Sequence, residues 1–186
     1  MGVDEVTTIV GSVAPPATPR GTSATKTEAW LSEEERKTWR TLLSVHARLL
    51  SRLDAELHAA HDISLQDYEV LVHLSEVDGT CLRLAELAER LVVSPSGLTR
   101  RLDGMVRDGL VERQACLSDR RGMLAVLTPK GRAVLASAAP THIAGIRRLL
   151  FEPLDRRQLR QMTGSLQAIG EALVSPSRQT HINGAR

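Results

Sequence analysis

The sequence predicts a mainly α-helical fold carrying one small β-hairpin. Apolar residues recur every three or four positions through most of the stretch between Ser32 and Leu173, and four of these runs open on a Ser or Asp able to cap a helix. Only two short runs, LVERQA and MLAVLT, read as strands. With 186 residues the chain has room for one domain and helical extensions, not for two large domains.

Residues 1–27, with the run GSVAPPATPRGTSATKT, lack any helical or strand period and are expected to form a disordered tail. The first helix should start at Ser32, whose hydroxyl can cap free backbone donors while Glu35 completes a capping box. Trp39, Leu42, Leu43, His46, Leu49, Leu50, Leu53 and Leu57 then make a long apolar stripe. Ser64 caps a second helix that buries Leu65, Tyr68, Leu71, Val72 and Leu74 and ends near Asp78-Gly79. A third, LRLAELAERL, stops at Val92-Val93. Ser94-Pro95 starts a fourth, because Ser is a preferred cap and Pro fits the first helical position. Its buried stripe is Leu98, Leu102, Met105 and Val106, and Gly109 ends it.

The two strand-like runs flank CLSDRRG and predict a hairpin with Asp119, Arg120, Arg121 and Gly122 at its tip. A long helical segment follows Pro129, with a kink or break expected at Pro140, which removes a backbone hydrogen bond and crowds the preceding turn. Asp155 and Gln158 mark the start of the last helix, with Leu159, Met162, Leu166, Ile169 and Leu173 along one side.

The overall charge of +2 selects no partner, but its distribution is uneven. From Arg83 to Arg132 there are ten Arg and Lys against six Asp and Glu, a net of +4. A basic middle is a weak footprint for a polyanion. The aromatics Trp30, Trp39, Tyr68 and Phe151 are too scattered for a base-stacking platform, which argues against single-stranded nucleic acid and leaves duplex DNA open. Two distant cysteines suit a reducing compartment, and neither a leader pattern nor a membrane-length apolar run is present, so a cytoplasmic protein is expected. No GxSxG, P-loop, GxGxxG or HExxH motif points to an enzyme, and no cofactor is implied.

On the fourth helix, Ser96, Thr99, Arg100, Asp103 and Arg107 share the face left over once the apolar stripe is buried. Such a face can lie in a major groove, where Arg reads guanine and hydroxyls take phosphates or base edges; otherwise it is an ordinary solvated face. The hairpin shifts the balance. A twisted hairpin after such a helix forms a wing whose tip Arg can enter the minor groove, with Asp119 orienting the guanidinium. The predicted fold class is therefore a winged helix-turn-helix lobe on a helical dimerisation layer. Long apolar stripes at both ends of the chain exceed what one small lobe can cover, so a homodimer is expected.

The order of elements and the string SDRRGMLAVLTPKG resemble the MarR family of winged-helix transcription regulators. The shared pattern is an Asp-x-Arg in the wing and a Leu-Thr-x-x-Gly after it, here Asp119, Arg121, Leu127, Thr128 and Gly131. The run PSGLTRRLDGMVRDGLVER is similar to the family's recognition helix and its exit, and the resemblance spans roughly Glu33 to Leu173. It implies an obligate homodimer on a pseudopalindromic double-stranded DNA operator, most simply as a repressor. Arg100 would read a base, Ser96, Thr99 and Arg101 would make neighbouring groove or phosphate contacts, and Arg121 would be the minor-groove finger; Ser94, Asp119 and Arg120 complete the candidate DNA-binding set. The implied division is a dimerisation helix over residues 28–63, a DNA-binding lobe over 64–130, dimerisation helices over 131–175 and a flexible tail over 176–186.

The resemblance also implies a small-molecule effector, an aromatic or phenolic anion, in a cleft between the dimerisation helices and the lobe. Trp39, His46, Tyr68 and His73 are the candidate lining residues, although His46 also reads as a buried core histidine. His58 and His61 lack a clear third and fourth ligand, so no metal site is assigned. Cys81 or Cys116 would make the protein a thiol-responsive regulator only with a lowered pKa. The remaining alternative is a winged helix that binds protein rather than specific DNA.

Overall fold

The structure, a computed structural model, describes residues 30–77, 79, 81–116 and 122–174. The expected tails and the wing-tip residues Asp119, Arg120 and Arg121 lie outside them. Residues up to Thr41 belong to one compact unit and those from Leu42 to another.

The described part of the first unit is the start of helix α1 (Glu33–His61). The capping box forms as expected: the Ser32 amide donates to Glu35 Oε2 (2.6 Å) and the Glu35 amide to Ser32 Oγ (3.2 Å). These reciprocal bonds satisfy donors that the first turn leaves open, and the Glu33–Arg36 pair lies beside them. Trp39 is exposed.

In the second unit only Leu53 and Leu57 of the α1 stripe are buried, whereas Leu42, Leu43, Val45 and Leu50 face outward. His46 is exposed too, so it is not a core histidine. Helix α2 (Leu65–Ser75) starts at Ser64, which accepts from the Asp67 amide, and the Leu65 amide donates to Asp54 Oδ1 of α1 (2.8 Å). Val70 joins its buried face, and Val72 is only partly covered. The helix ends at Ser75, before the expected Asp78-Gly79 stop.

The segment expected to begin the third helix departs from expectation. Cys81–Arg83 is a strand, β1, and helix α3 covers only Leu84–Arg90. The helical period of LRLAELAERL hid this, because β1 is three residues long and exists only by pairing with an edge of the hairpin. Strand β3 (Met123–Leu127) lies between β1 and β2 (Val111–Ala115) in an antiparallel sheet, with Leu82 opposite Ala125 on one side and Arg113 opposite Ala125 on the other.

Helix α4 (Pro95–Arg107) buries Leu98, Leu102 and Met105, while Val106 is exposed rather than part of the stripe. Helix α5 (Pro129–Ile146) runs through Pro140 without a break. The irregularity comes later, as a π-helical turn over Arg147–Phe151. Beside Pro140, His61 at the end of α1 meets Ser137 (3.2 Å) and Thr141 (2.8 Å), which tie it to one turn on each side. At Gly145 an added Cβ would lie 2.8 Å from both Leu53 and Glu56, so α5 packs directly on α1 there. Helix α6 (Arg156–Val174) opens on the expected Asp155–Gln158 box (2.9 and 2.8 Å), and its Leu166, Ile169 and Leu173 are exposed. No helix among the described residues is long and apolar enough to cross a membrane.

Candidate nucleic-acid interface

The α3–turn–α4 unit is set by two helix ends of the same design. After α3, the Val92 amide donates to Glu89 O (3.1 Å) and the Val93 amide to Ala88 O (3.0 Å). After α4, the Gly109 amide donates to Val106 O (3.0 Å) and the Leu110 amide to Met105 O (2.9 Å). Both follow the Schellman pattern, which needs a left-handed residue just past the helix. Gly109 supplies it with φ 70°; at α3 the same role falls to Val92 with φ 55°.

Ser94 then caps α4 by accepting from the Gly97 amide (3.2 Å), and its hydroxyl lies 3.3 Å from that of Ser96. Thr99 turns its hydroxyl back to Pro95 O (2.9 Å). Leu98 and Leu102 turn the helix's apolar side to the core, leaving Ser96, Thr99, Arg100, Asp103 and Arg107 exposed, as expected. Their surroundings differ. Arg100 has no partner among the described residues, whereas Arg107 Nε donates to Asp103 O (3.3 Å).

Arg101, its neighbour in sequence, turns the other way: Nη1 donates to Asp67 Oδ1 (3.1 Å) and Nη2 to Gln66, tying α4 to the start of α2. Arg113, not among the expected contacts, reaches α4 from strand β2. Its Nη1 lies 2.7 Å from Asp103 Oδ1, and its Nη2 donates to Thr99 O (2.8 Å). Periodicity alone could not mark it, since alternation along β2 places it toward the helix only once the hairpin folds back.

The exit from α4 and the start of α5 share one small knot. Thr128, buried, accepts from the Gly131 amide (2.9 Å) and offers its hydroxyl proton to Gly109 O (2.8 Å) or Leu110 O (3.0 Å). Lys130 Nζ donates to Asp108 O (2.6 Å) at the negative end of α4. A side chain at Gly131 would collide with the Leu110 carbonyl. The Leu127-Thr128-x-x-Gly131 pattern is therefore the joint between wing and helix α5. At the wing's outer end the Cys116 amide donates to Gly122 O (2.9 Å); the expected tip residues Asp119, Arg120 and Arg121 lie outside the described residues.

A cavity of about 330 Å³ opens between α2, the end of α3 and α5, lined by Tyr68, Glu69, Val72, His73, Arg90, Leu91 and His142. Tyr68 and His73 were expected there; His46 is not among the lining residues, and Trp39 belongs to the other unit. His142 and Arg90 were missed, since neither stands in a motif. The Tyr68 and His142 rings are 4.6 Å apart, and His142 Nδ1 is buried without a hydrogen-bond partner among the described residues. Burial pushes His142 below its ordinary 6.5, against an opposing pull from Glu69, and raises the Tyr68 phenol above 10.0. Among the described residues no cluster of three His, Cys, Asp or Glu could hold a metal ion.

A helix-turn-helix backed by a three-stranded sheet defines a winged-helix protein. Residues 61–122 match the model of the MarR family. The chain is 33% identical over 88 residues to the HTH-type transcriptional repressor YetL of Bacillus subtilis (strain 168), a match spanning 47% of this chain and 53% of that repressor. Its fold is similar to AbsC, a MarR family transcriptional regulator from Streptomyces coelicolor, at 37% identity and a TM-score of 0.73, covering 77% of this chain and 97% of AbsC. It is also similar to Sco3205, a MarR family regulator from the same organism solved in complex with DNA, at 31% identity and a TM-score of 0.74, covering 81% and 94% of the two chains. The chain belongs to the MarR family. It is a transcription regulator and not an enzyme.

Proposed function

We propose that the protein is a homodimeric repressor that binds a pseudopalindromic operator, with α4 in the major groove and the wing in the minor groove. The observation that carries this is the contrast on α4: Arg101 and the approaching Arg113 are spent on bracing the helix, while Arg100 is exposed and has no partner among the described residues. Arg100 then reads a base edge, Ser94, Ser96 and Thr99 lie beside the backbone, and Arg121 is the minor-groove finger with Asp119 and Arg120 at its side. Arg101 holds α4 in place rather than making its own groove contact. The DNA complex of Sco3205 supports the same use of this fold.

Leu166, Ile169 and Leu173 on α6, with the outward residues of α1, supply the apolar surface of the dimer layer. In this reading residues 28–63 and 131–175 form that layer, residues 64–130 form the DNA-binding lobe, and the dimer works in the cytoplasm. The effector is a small aromatic or phenolic anion in the cavity of Tyr68, His73, Arg90 and His142. His142 Nδ1 offers it a hydrogen bond that no group among the described residues takes, and Arg90, paired with Glu86, lies nearby. It acts by favouring one spacing of the two lobes, a coupling of about 1–3 kcal/mol.

The test is a fluorescence-anisotropy titration on duplex DNA from upstream of the chain's own gene, with sedimentation in parallel. A dimer whose affinity falls steeply with salt is expected, because phosphate contacts release counterions. A monomer, or an affinity indifferent to salt, refutes the reading. Thermal-shift screening of phenolic acids, repeated on His142→Ala, tests the effector half.

A further inference from the structure

We infer that Arg113 is a positioning residue for DNA recognition, fixing α4 against the wing so that both can enter their grooves together. The inference rests on the DNA-binding reading above.

Thr99 and Asp103 stand one turn apart on α4, and the guanidinium of Arg113 grips both, through a backbone carbonyl and a carboxylate. Arg100 projects from the turn so held. Arg113 itself is locked in the sheet, opposite Ala125 in the β2–β3 ladder that leads to the wing tip. A rotation of α4 relative to the hairpin would break the fork. Across the helix, Arg101 braces α4 to α2, so the two arginines fix it from both sides.

Stability does not account for this arrangement. Asp103 is 56% exposed, and a pair so open to water contributes little. Arg113 Nε, meanwhile, is buried with no hydrogen-bond partner among the described residues, which carries a desolvation cost. A Met at this position would pack a similar stem without that cost. What Met cannot supply is the two-pronged hold, since the fork geometry belongs to Arg and not even to Lys.

The experiment uses the full chain, a cognate duplex selected by the wild type from a random-sequence library, and a scrambled duplex as reference. Arg113→Met is expected to keep the wild-type melting temperature and to lose about tenfold in the cognate-to-scrambled affinity ratio, the size of one mis-set base contact. Arg113→Lys, which keeps the charge, should lose nearly as much.

Several results overturn the inference. One is a ratio preserved in Arg113→Met. Another is full retention in Arg113→Lys, which would make Arg113 a simple phosphate contact. A third is recovery in the double variant Asp103→Asn, Arg113→Met, which would mean that Arg113 only neutralises a carboxylate facing the DNA. A wild type that selects no sequence overturns the DNA-binding reading itself, and this inference with it.

Discussion

Val92→Gly should stabilise the protein, an unusual direction for the removal of an apolar side chain. Val92 occupies the left-handed position after α3 with φ 55°. There an L-residue's Cβ crowds the following carbonyl at a cost of about 1–2 kcal/mol, and branching at Cβ does not ease it. The side chain is 90% exposed, so its loss removes almost no burial. The two hydrogen bonds that close the helix end are made by backbone amides and survive the change. Against the relief stands the greater freedom of Gly in the unfolded chain, about 0.4–1 kcal/mol. The balance is a gain of about 0.5–1 kcal/mol, or roughly 1–4 °C in melting temperature for a chain of this size.

The assay is a urea titration at fixed protein concentration, because the proposed dimerisation would couple stability to concentration. Val92→Ala provides the control: it keeps Cβ and should stay close to wild type. A lowered midpoint for Val92→Gly at an unchanged slope refutes the argument, since it would mean that the Val side chain makes a contact worth more than its backbone strain.

Arg100→Ala should cost about 1–3 kcal/mol on the selected operator and relax discrimination at one base pair, measured by anisotropy on single-position variants. Equal losses on every sequence would reassign it to phosphate. Gly131→Ala should destabilise by about 3 kcal/mol, since the new methyl meets the Leu110 backbone, which has little room to yield; a neutral denaturant midpoint contradicts this. His142 gives a pH dependence with a definite sign. Its folded pKa lies below 6.5, so the unfolded chain binds the proton first as pH falls. Its contribution is therefore complete above pH 6.5 and declines in the window just below it. His142→Gln should flatten that part of the stability profile, and an unchanged slope counts against the assignment.

The parts of the fold that local chemistry decides were legible in the sequence. Ser32 with Glu35, Ser64, Ser94 with Pro95, and Asp155 with Gln158 each satisfy their helix from within a few residues, and all four starts fall where their residue types place them. Strand β1 was not legible, because Cys81–Arg83 becomes a strand only through β3, some forty positions on. Pro140 misled in the opposite direction. Its local cost is real, but α5 is packed on α1 at Gly145 and tied to His61 on both sides of the proline, and this tertiary support outweighs the preference for a break. The cavity shows the same limit, since Tyr68, Arg90 and His142 come from three helices and share no spacing.

The arginine pair at the centre of α4 shows where reading a face from spacing stops short. Consecutive helical residues point about 100° apart, and here Arg100 is exposed while Arg101 turns toward α2. Spacing put Arg100 on the outward face, and that holds. The family pattern had grouped Arg101 with it, yet Arg101 finds Asp67 and Gln66 thirty-odd residues earlier, on a helix whose position the sequence does not state. Among the described residues Arg100 has no partner, while Arg101 is held by α2. The division follows from where the fold places Asp67 and Gln66 of α2 beside α4, a tertiary relation, and this is why exposure and pairing, rather than residue type, separate candidate readers from braces on a basic helix.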